Sequence, residues 1–153
     1  MTYRIMGLDP APFVALHRLS GEELAARGMA RMVVDSHPGA PCRISLDDVA
    51  TGQPVVLLNH QSVASGPYRA SHAIFVSEAA VRADYANEIP PAMARRVLSL
   101  RAFDAAADMT NAVLAQPGEA DAAIRALLAD PQVAYIHAHY ATRGCFAATV
   151  ERM

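Results

Sequence analysis

Three side chains near the C-terminus, His137, His139 and Cys145, carry the densest chemistry in this sequence. Residues two apart in a strand share a face, and so do residues opposed across an antiparallel pair. A five-residue turn over 140–144 would set His139 against Cys145 and His137 against Ala147, with both imidazoles and the thiol on one flank. On that register Ile136, Phe146, Ala148 and Val150 fill the other flank, against the helix that precedes them. Two imidazoles and a thiol together suit a soft or borderline metal; zinc is the candidate, and no other cofactor is evident. They equally suit nucleophilic catalysis, with Cys145 as nucleophile and His139 or His137 as its base. A surface strand that carries histidines freely, with the cysteine as a small apolar residue, is the structural alternative.

A second set lies in and after the stiff loop 35–41, where Asp35, His37, Cys42 and Arg43 fall close together. A proline- and glycine-rich loop can hold polar side chains over a pocket, and Cys42 is a second candidate nucleophile there. Residues 42–46 alternate, which predicts a short strand with Cys42, Ile44 and Leu46 on one face and Arg43 and Ser45 on the other. Further along, Arg69 offers a planar fork for a carboxylate or phosphate, and Tyr68 a stacking face with a polar tip. His37, Arg43, Tyr68 and Arg69 are therefore the candidate walls of a pocket for a small anionic molecule.

The elements that must position these groups follow from pattern. Residues 3–8 read as an opening strand, and 13–19 as a helical turn. Ser20 and Glu23 have the spacing of a capping box, with Leu19 and Leu24 at the staple positions and Gly28 placed to end the helix. Strands are predicted at 29–34, 55–60 and 72–76, the second apolar on both faces and so central in a sheet, with a polar loop over 61–71. Residues 78–87 have room for a helical turn before Ile89-Pro90-Pro91 ends regular structure. A hairpin is predicted over 96–103 and 109–115. A helix over 119–129 carries Ala120, Ala123, Ile124, Leu127 and Leu128 on one stripe. A final hairpin joins 133–139 to 145–150. Short turns between successive strands favour α+β architecture: a single domain over 1–153, with a largely antiparallel sheet, N-terminal helices and one helix, about 119–129, packed on it.

Composition narrows the chemistry. The 153 residues are 53% hydrophobic and 18% charged, a globular balance. All 13 basic residues are arginine, so side-chain Schiff-base chemistry and a Walker-type phosphate loop are excluded. A net charge of -2 provides no field for nucleic acid or anionic lipid, and neither partner is expected. Two cysteines are too few for a disulfide scaffold, and no signal or membrane segment is read, so a soluble cytoplasmic protein with reduced thiols is expected. Dinucleotide, zinc-ribbon, zincin and hydrolase motifs are not found.

The run Asp35-Ser36-His37-Pro38-Gly39-Ala40-Pro41-Cys42-Arg43-Ile44-Ser45-Leu46 is followed by Pro67-Tyr68-Arg69-Ala70-Ser71 and Ala73-Ile74-Phe75-Val76. Together with Leu98-Ser99-Leu100-Arg101-Ala102-Phe103-Asp104 and Gly144-Cys145-Phe146-Ala147-Ala148, it resembles a family of small bacterial proteins, domain of unknown function 1203. The resemblance covers nearly the whole chain and departs from the pattern at His72-Ala73. It implies a single-domain cytoplasmic protein and brings no reaction or ligand with it. The residues themselves favour a small binding module, with homo-oligomer formation expected, over a thiol enzyme or a metal protein.

Overall fold

In the computed structural model, which describes residues 1–78 and 80–153, local chemistry sets the N-terminal elements. A 3-10 helix over Ala11–Arg18 follows Pro10, whose ring fixes φ near the helical value. Ser20 Oγ accepts from the Glu23 N–H at 3.1 Å and the Glu23 carboxylate accepts from the Ser20 N–H at 3.4 Å. This capping box starts α1 (Gly21–Ala26), and Gly28 at φ +72° takes the left-handed conformation after it.

Among the described residues nine strands form two antiparallel sheets, and the architecture is α+β as expected. The strands are β1 (Tyr3–Met6), β2 (Ala30–Val33), β3 (Pro54–Val63), β4 (Ala70–Ser77), β5 (Asp84–Ala86), β6 (Leu98–Phe103), β7 (Met109–Ala115), β8 (Tyr135–Tyr140) and β9 (Phe146–Arg152). The larger sheet runs β5-β1-β9-β8-β6-β7 and the smaller β2-β3-β4, with β3 central as its two apolar faces required. Among the helices, α2 is short (Pro91–Ala94) and α3 spans Ala120–Leu128. The apolar stripe of α3, with Ile124 and Leu128, packs into one core with Leu100, Ile136, Ala138 and Val150 of the larger sheet.

The second core lies on one face of the smaller sheet, where Val56, Leu58, Ile74 and Val76 meet Leu16, Leu24, Cys42 and Ile44. Further along that same face, His60 and His72 stand opposite each other across β3 and β4. They meet the larger sheet at Phe146 and His139, with ring centroids 5.4 Å (His60–Phe146) and 5.1 Å (His72–His139) apart. A seam of aromatic and imidazole rings thus joins the two sheets.

Three sequence expectations are corrected. Residues 42–46 are a tight turn, not a strand: the Leu46 N–H donates to the Cys42 carbonyl at 3.0 Å, and Leu46 sits at φ +55°. Its backbone bonds are shared among unconnected neighbours. The Arg43 N–H donates to the Phe75 carbonyl, and the N–H groups of Leu8, Ala83 and Ala92 donate to the carbonyls of Arg43, Ile44 and Leu46. Alternation failed there because Cys42 and Ile44 enter one core and Leu46 the other. Gly7 lets the β1 end approach, since a Cβ on it would lie 1.9 Å from the Ile44 carbonyl oxygen. The helical turn expected over 78–87 is replaced at 84–86 by β5, which pairs with β1; Ala79 lies outside the described residues. The polar loop expected over 61–71 is shorter, because β3 continues to Val63 and β4 begins at Ala70.

Candidate functional site

The closing hairpin forms, but on a different register from the one that would gather His137, His139 and Cys145. His137 pairs with Thr149 and His139 with Phe146, and a bulge places Ala147 as the extra residue between Ala138/Ala148 and His139/Phe146. One inserted residue reverses the faces on one side of it. Phe146 therefore leaves the core flank assigned to it and joins the imidazoles, with its ring centroid 5.1 Å from His137 and 5.9 Å from His139. Cys145 falls opposite Tyr140, whose N–H donates to the Cys145 carbonyl at 2.9 Å. Among the described residues no group of three or more His, Cys, Asp or Glu side chains is placed to hold a metal ion. The expected zinc trio does not form.

What reaches Cys145 is Arg43. The Arg43 guanidinium is only 2% exposed and bridges from the 42–46 turn to the hairpin. Its Nε donates to the Phe146 carbonyl at 2.6 Å, Nη1 donates to the Pro41 carbonyl, and Nη2 donates to Cys145 Sγ at 3.1 Å. The guanidinium carbon also lies 4.8 Å from the Tyr140 ring centroid, and that of Arg96 lies 5.3 Å from it. No carboxylate is within ion-pair distance of Arg43 among the described residues. Three of its five N–H groups are used, which leaves two for another acceptor. Burial lowers its pKa, opposed by the neighbouring Tyr140 and cysteine side chains, yet a guanidinium stays charged at any physiological pH.

Arg43 lines a cavity of about 860 Å³, the size of small-molecule sites generally. Its polar wall includes Arg43, Arg96, Arg143, Tyr140, Thr142 and Cys145; its apolar wall includes Val33, Val55, Leu57 and Phe75. Three lining arginines face a single lining carboxylate, Asp35. Tyr140 is 5% exposed, and its hydroxyl is buried with no hydrogen-bond partner. Burial pushes its pKa up to about 12, so the hydroxyl remains a proton donor.

Arg96 is held in the wall by Asp48, which accepts from Arg96 Nη2 at 2.6 Å, from Arg96 Nη1 at 2.9 Å and from Arg95 Nη1 at 2.9 Å. The Asp48 side chain is fully buried; burial alone would raise its pKa, and the two guanidiniums outweigh that and hold it below the usual carboxylate range. Replacing Asp48 by Asn is expected to reduce stability by about 3 kcal/mol, since it strips a buried pair of its charge. Urea denaturation at pH 7 checks this. The contribution is present above the ordinary carboxylate pKa and lost as pH falls below it, so at pH 3 the variant and the wild type should approach each other.

Cys42 is fully buried and does not line the cavity; its sulfur accepts from the Ile44 N–H and from the Ser77 N–H and hydroxyl. Burial raises the Cys42 pKa, but hydrogen bonds from Ser77, Ser45 and Ile44 bring it below the ordinary thiol value. His37 is exposed and, unlike its neighbours Ser36 and Gly39, is outside the cavity lining. Tyr68 and Arg69 are at the far end of the seam, where the Tyr68 ring meets Phe103 with centroids 6.3 Å apart. Of the four ligand-pocket candidates only Arg43 lines this cavity. Tyr140 and Arg143 were not singled out from sequence. The signal lay in the aromatic residue closing β8, beside the turn that carries Arg143 and Cys145.

The imidazole seam runs beside the cavity, and His72 lines both. His137 and His139 are buried, and burial depresses both to a pKa of about 4, with Arg101 and neighbouring imidazoles adding to the effect. The Gly144 carbonyl accepts from His139 Nδ1 at 2.8 Å, which works the other way and fixes the tautomer. Burial also lowers His60 and His72, with Arg43 contributing at each. Four neutral imidazoles therefore line the join between the sheets.

The fold and site define a class: a two-sheet antiparallel α+β protein with a buried arginine that opens onto a cavity and has no carboxylate partner among the described residues. Residues 39–152 match the family described as "Protein of unknown function (DUF1203)", and the chain belongs to that family. No curated protein and no solved structure matches the chain. The matched span contains Arg43, Arg96, Tyr140 and Cys145, together with all four seam histidines.

Proposed function

We propose that this protein is a small soluble binding module whose cavity takes an organic anion, a molecule with a carboxylate or phosphate head and an apolar body. The observation that carries the reading is Arg43. A buried guanidinium with no carboxylate partner is expensive to keep, and the cost is offset when an anion occupies the space beside it. The unused Tyr140 hydroxyl offers a further donor, while Arg143 adds positive potential. Val33, Val55, Leu57 and Phe75 suit an alkyl or aryl body. A cytoplasmic setting belongs to the same reading and is supported by the two free cysteines. Homo-oligomer formation also belongs to it and is supported by the exposed Val113 and Leu114 on edge strand β7.

Calorimetric titration tests the reading with matched probes, octanoate and octyl phosphate against the neutral octanamide. At least one anion should bind about tenfold or more tightly than the amide, the discrimination expected of charge-assisted hydrogen bonds. Equal binding of acid and amide, or no binding of either anion, would overturn the proposal.

A further inference from the structure

We infer that Cys145 exchanges with small disulfides that carry anionic groups, seated by the same arginine cavity; this rests on the anion-binding reading and names a substrate class for it. Cys145 is free, only part-buried, and on the cavity wall, whereas Cys42 is sealed in a core. Its sulfur is the atom that receives the Arg43 Nη2 hydrogen bond at 3.1 Å. The thiol and the anion-binding group are thus adjacent, and an anion held by Arg43 is carried to the sulfur itself. An independent feature points to an occupant at this place. The Tyr140 hydroxyl is buried without a partner on a residue lining the same cavity. A cavity of about 860 Å³ exceeds what an inorganic anion fills and has room for a molecule with a scissile bond in its body.

The step balances without any further oxidant. The Cys145 thiol loses its proton to water and the sulfur attacks one sulfur of R–S–S–R. The Cys145–S–S–R bond forms as the S–S bond of the small molecule breaks, and the departing R–S⁻ takes up a proton. Arg43 Nη2 sits beside the attacking sulfur, and Arg143 favours an R group bearing carboxylates. Electrons pass only from the thiol to the disulfide: one thiol is consumed and one is released.

The full-length reduced protein is incubated at neutral pH with glutathione disulfide, which is anionic, or with bis(2-hydroxyethyl) disulfide, which is neutral. Each rate is divided by that of free cysteine with the same reagent, and adducts are located by peptide mass spectrometry. The inference expects a mixed disulfide on Cys145, not Cys42, with the anionic reagent favoured about tenfold by the local field. Arg143→Gln, at an exposed turn position, should lower that preference while leaving the fold intact. Equal normalised rates, modification at Cys42, or no adduct at either cysteine would overturn it. Titration of Cys145→Ser with S-methylglutathione, which cannot exchange, separates the two claims. Its binding, alongside failed exchange in the wild type, sinks the exchange step alone. If neither it nor the alkyl anions bind, the anion reading falls as well.

Discussion

Replacing Arg43 by alanine should lower the unfolding free energy by about 4 kcal/mol and abolish anion binding, whereas methionine at this position should lose only about half that stability. Two opposed effects decide the order. Removing the guanidinium relieves the desolvation of a charge with no counter-ion, which favours either variant. Removal also leaves the Phe146 and Pro41 carbonyls without their donor, at roughly 1–3 kcal/mol for each buried group. Alanine adds a void where the long side chain lay against Tyr140, and methionine refills most of that volume. The expected ranking is therefore wild type above Arg43→Met above Arg43→Ala, read from urea midpoints at pH 7. Neither variant should bind octanoate. A fully stable Arg43→Ala that still binds the anion would contradict both halves of the argument.

The second large effect is acid sensitivity set by the histidine seam. An imidazole whose folded pKa lies below its unfolded value contributes nothing unfavourable above the unfolded pKa. It destabilises the fold as pH falls, because the unfolded chain binds the proton more readily. His137 and His139 fall from the ordinary 6.5 to about 4, so the window is pH 6.5 down to 4. At about 1.4 kcal/mol per unit of pKa difference, each ring supplies on the order of 3 kcal/mol, and the coupled pair somewhat less than twice that. His60 and His72 act with the same sign. Stability measured by urea at pH 7 and pH 4.5 should differ by several kcal/mol, and H137F/H139F should flatten the dependence even though it loses the bond to Gly144. A wild-type midpoint constant between pH 7 and pH 5 would show that these rings are not buried neutral.

How much of this was legible in the sequence depends on whether one residue's neighbours sufficed to fix it. The capping box at Ser20 and Glu23 is local, and it formed as spaced. The α3 stripe and the hairpin of β6 and β7 are also short-range patterns, and both stand. The turn at 42–46 was illegible because its hydrogen-bond partners, Leu8, Phe75, Ala83 and Ala92, are scattered through the chain. An alternating pattern there reflected two cores on either side of a turn rather than two faces of a strand. The site trio failed through one inserted residue, Ala147, since a bulge leaves little mark on composition yet reverses the faces. Arg43 was singled out beside Cys42, but its real contact is with Cys145, 102 positions away. Sequence could rank that arginine as a candidate; only tertiary structure could show that it lacks a carboxylate.

Tyr140→Phe, with stability and octanoate affinity measured on the same sample, probes the anion site with the least change to the fold. The ring that packs beneath Arg43 and Arg96 is kept, and only an unpartnered buried hydroxyl is removed. If that hydroxyl awaits a ligand, stability should hold or rise by about 1 kcal/mol while affinity for the anion drops about tenfold. Unchanged affinity, or a clear loss of stability, would mean that the hydroxyl serves the fold and takes no part in holding the anion.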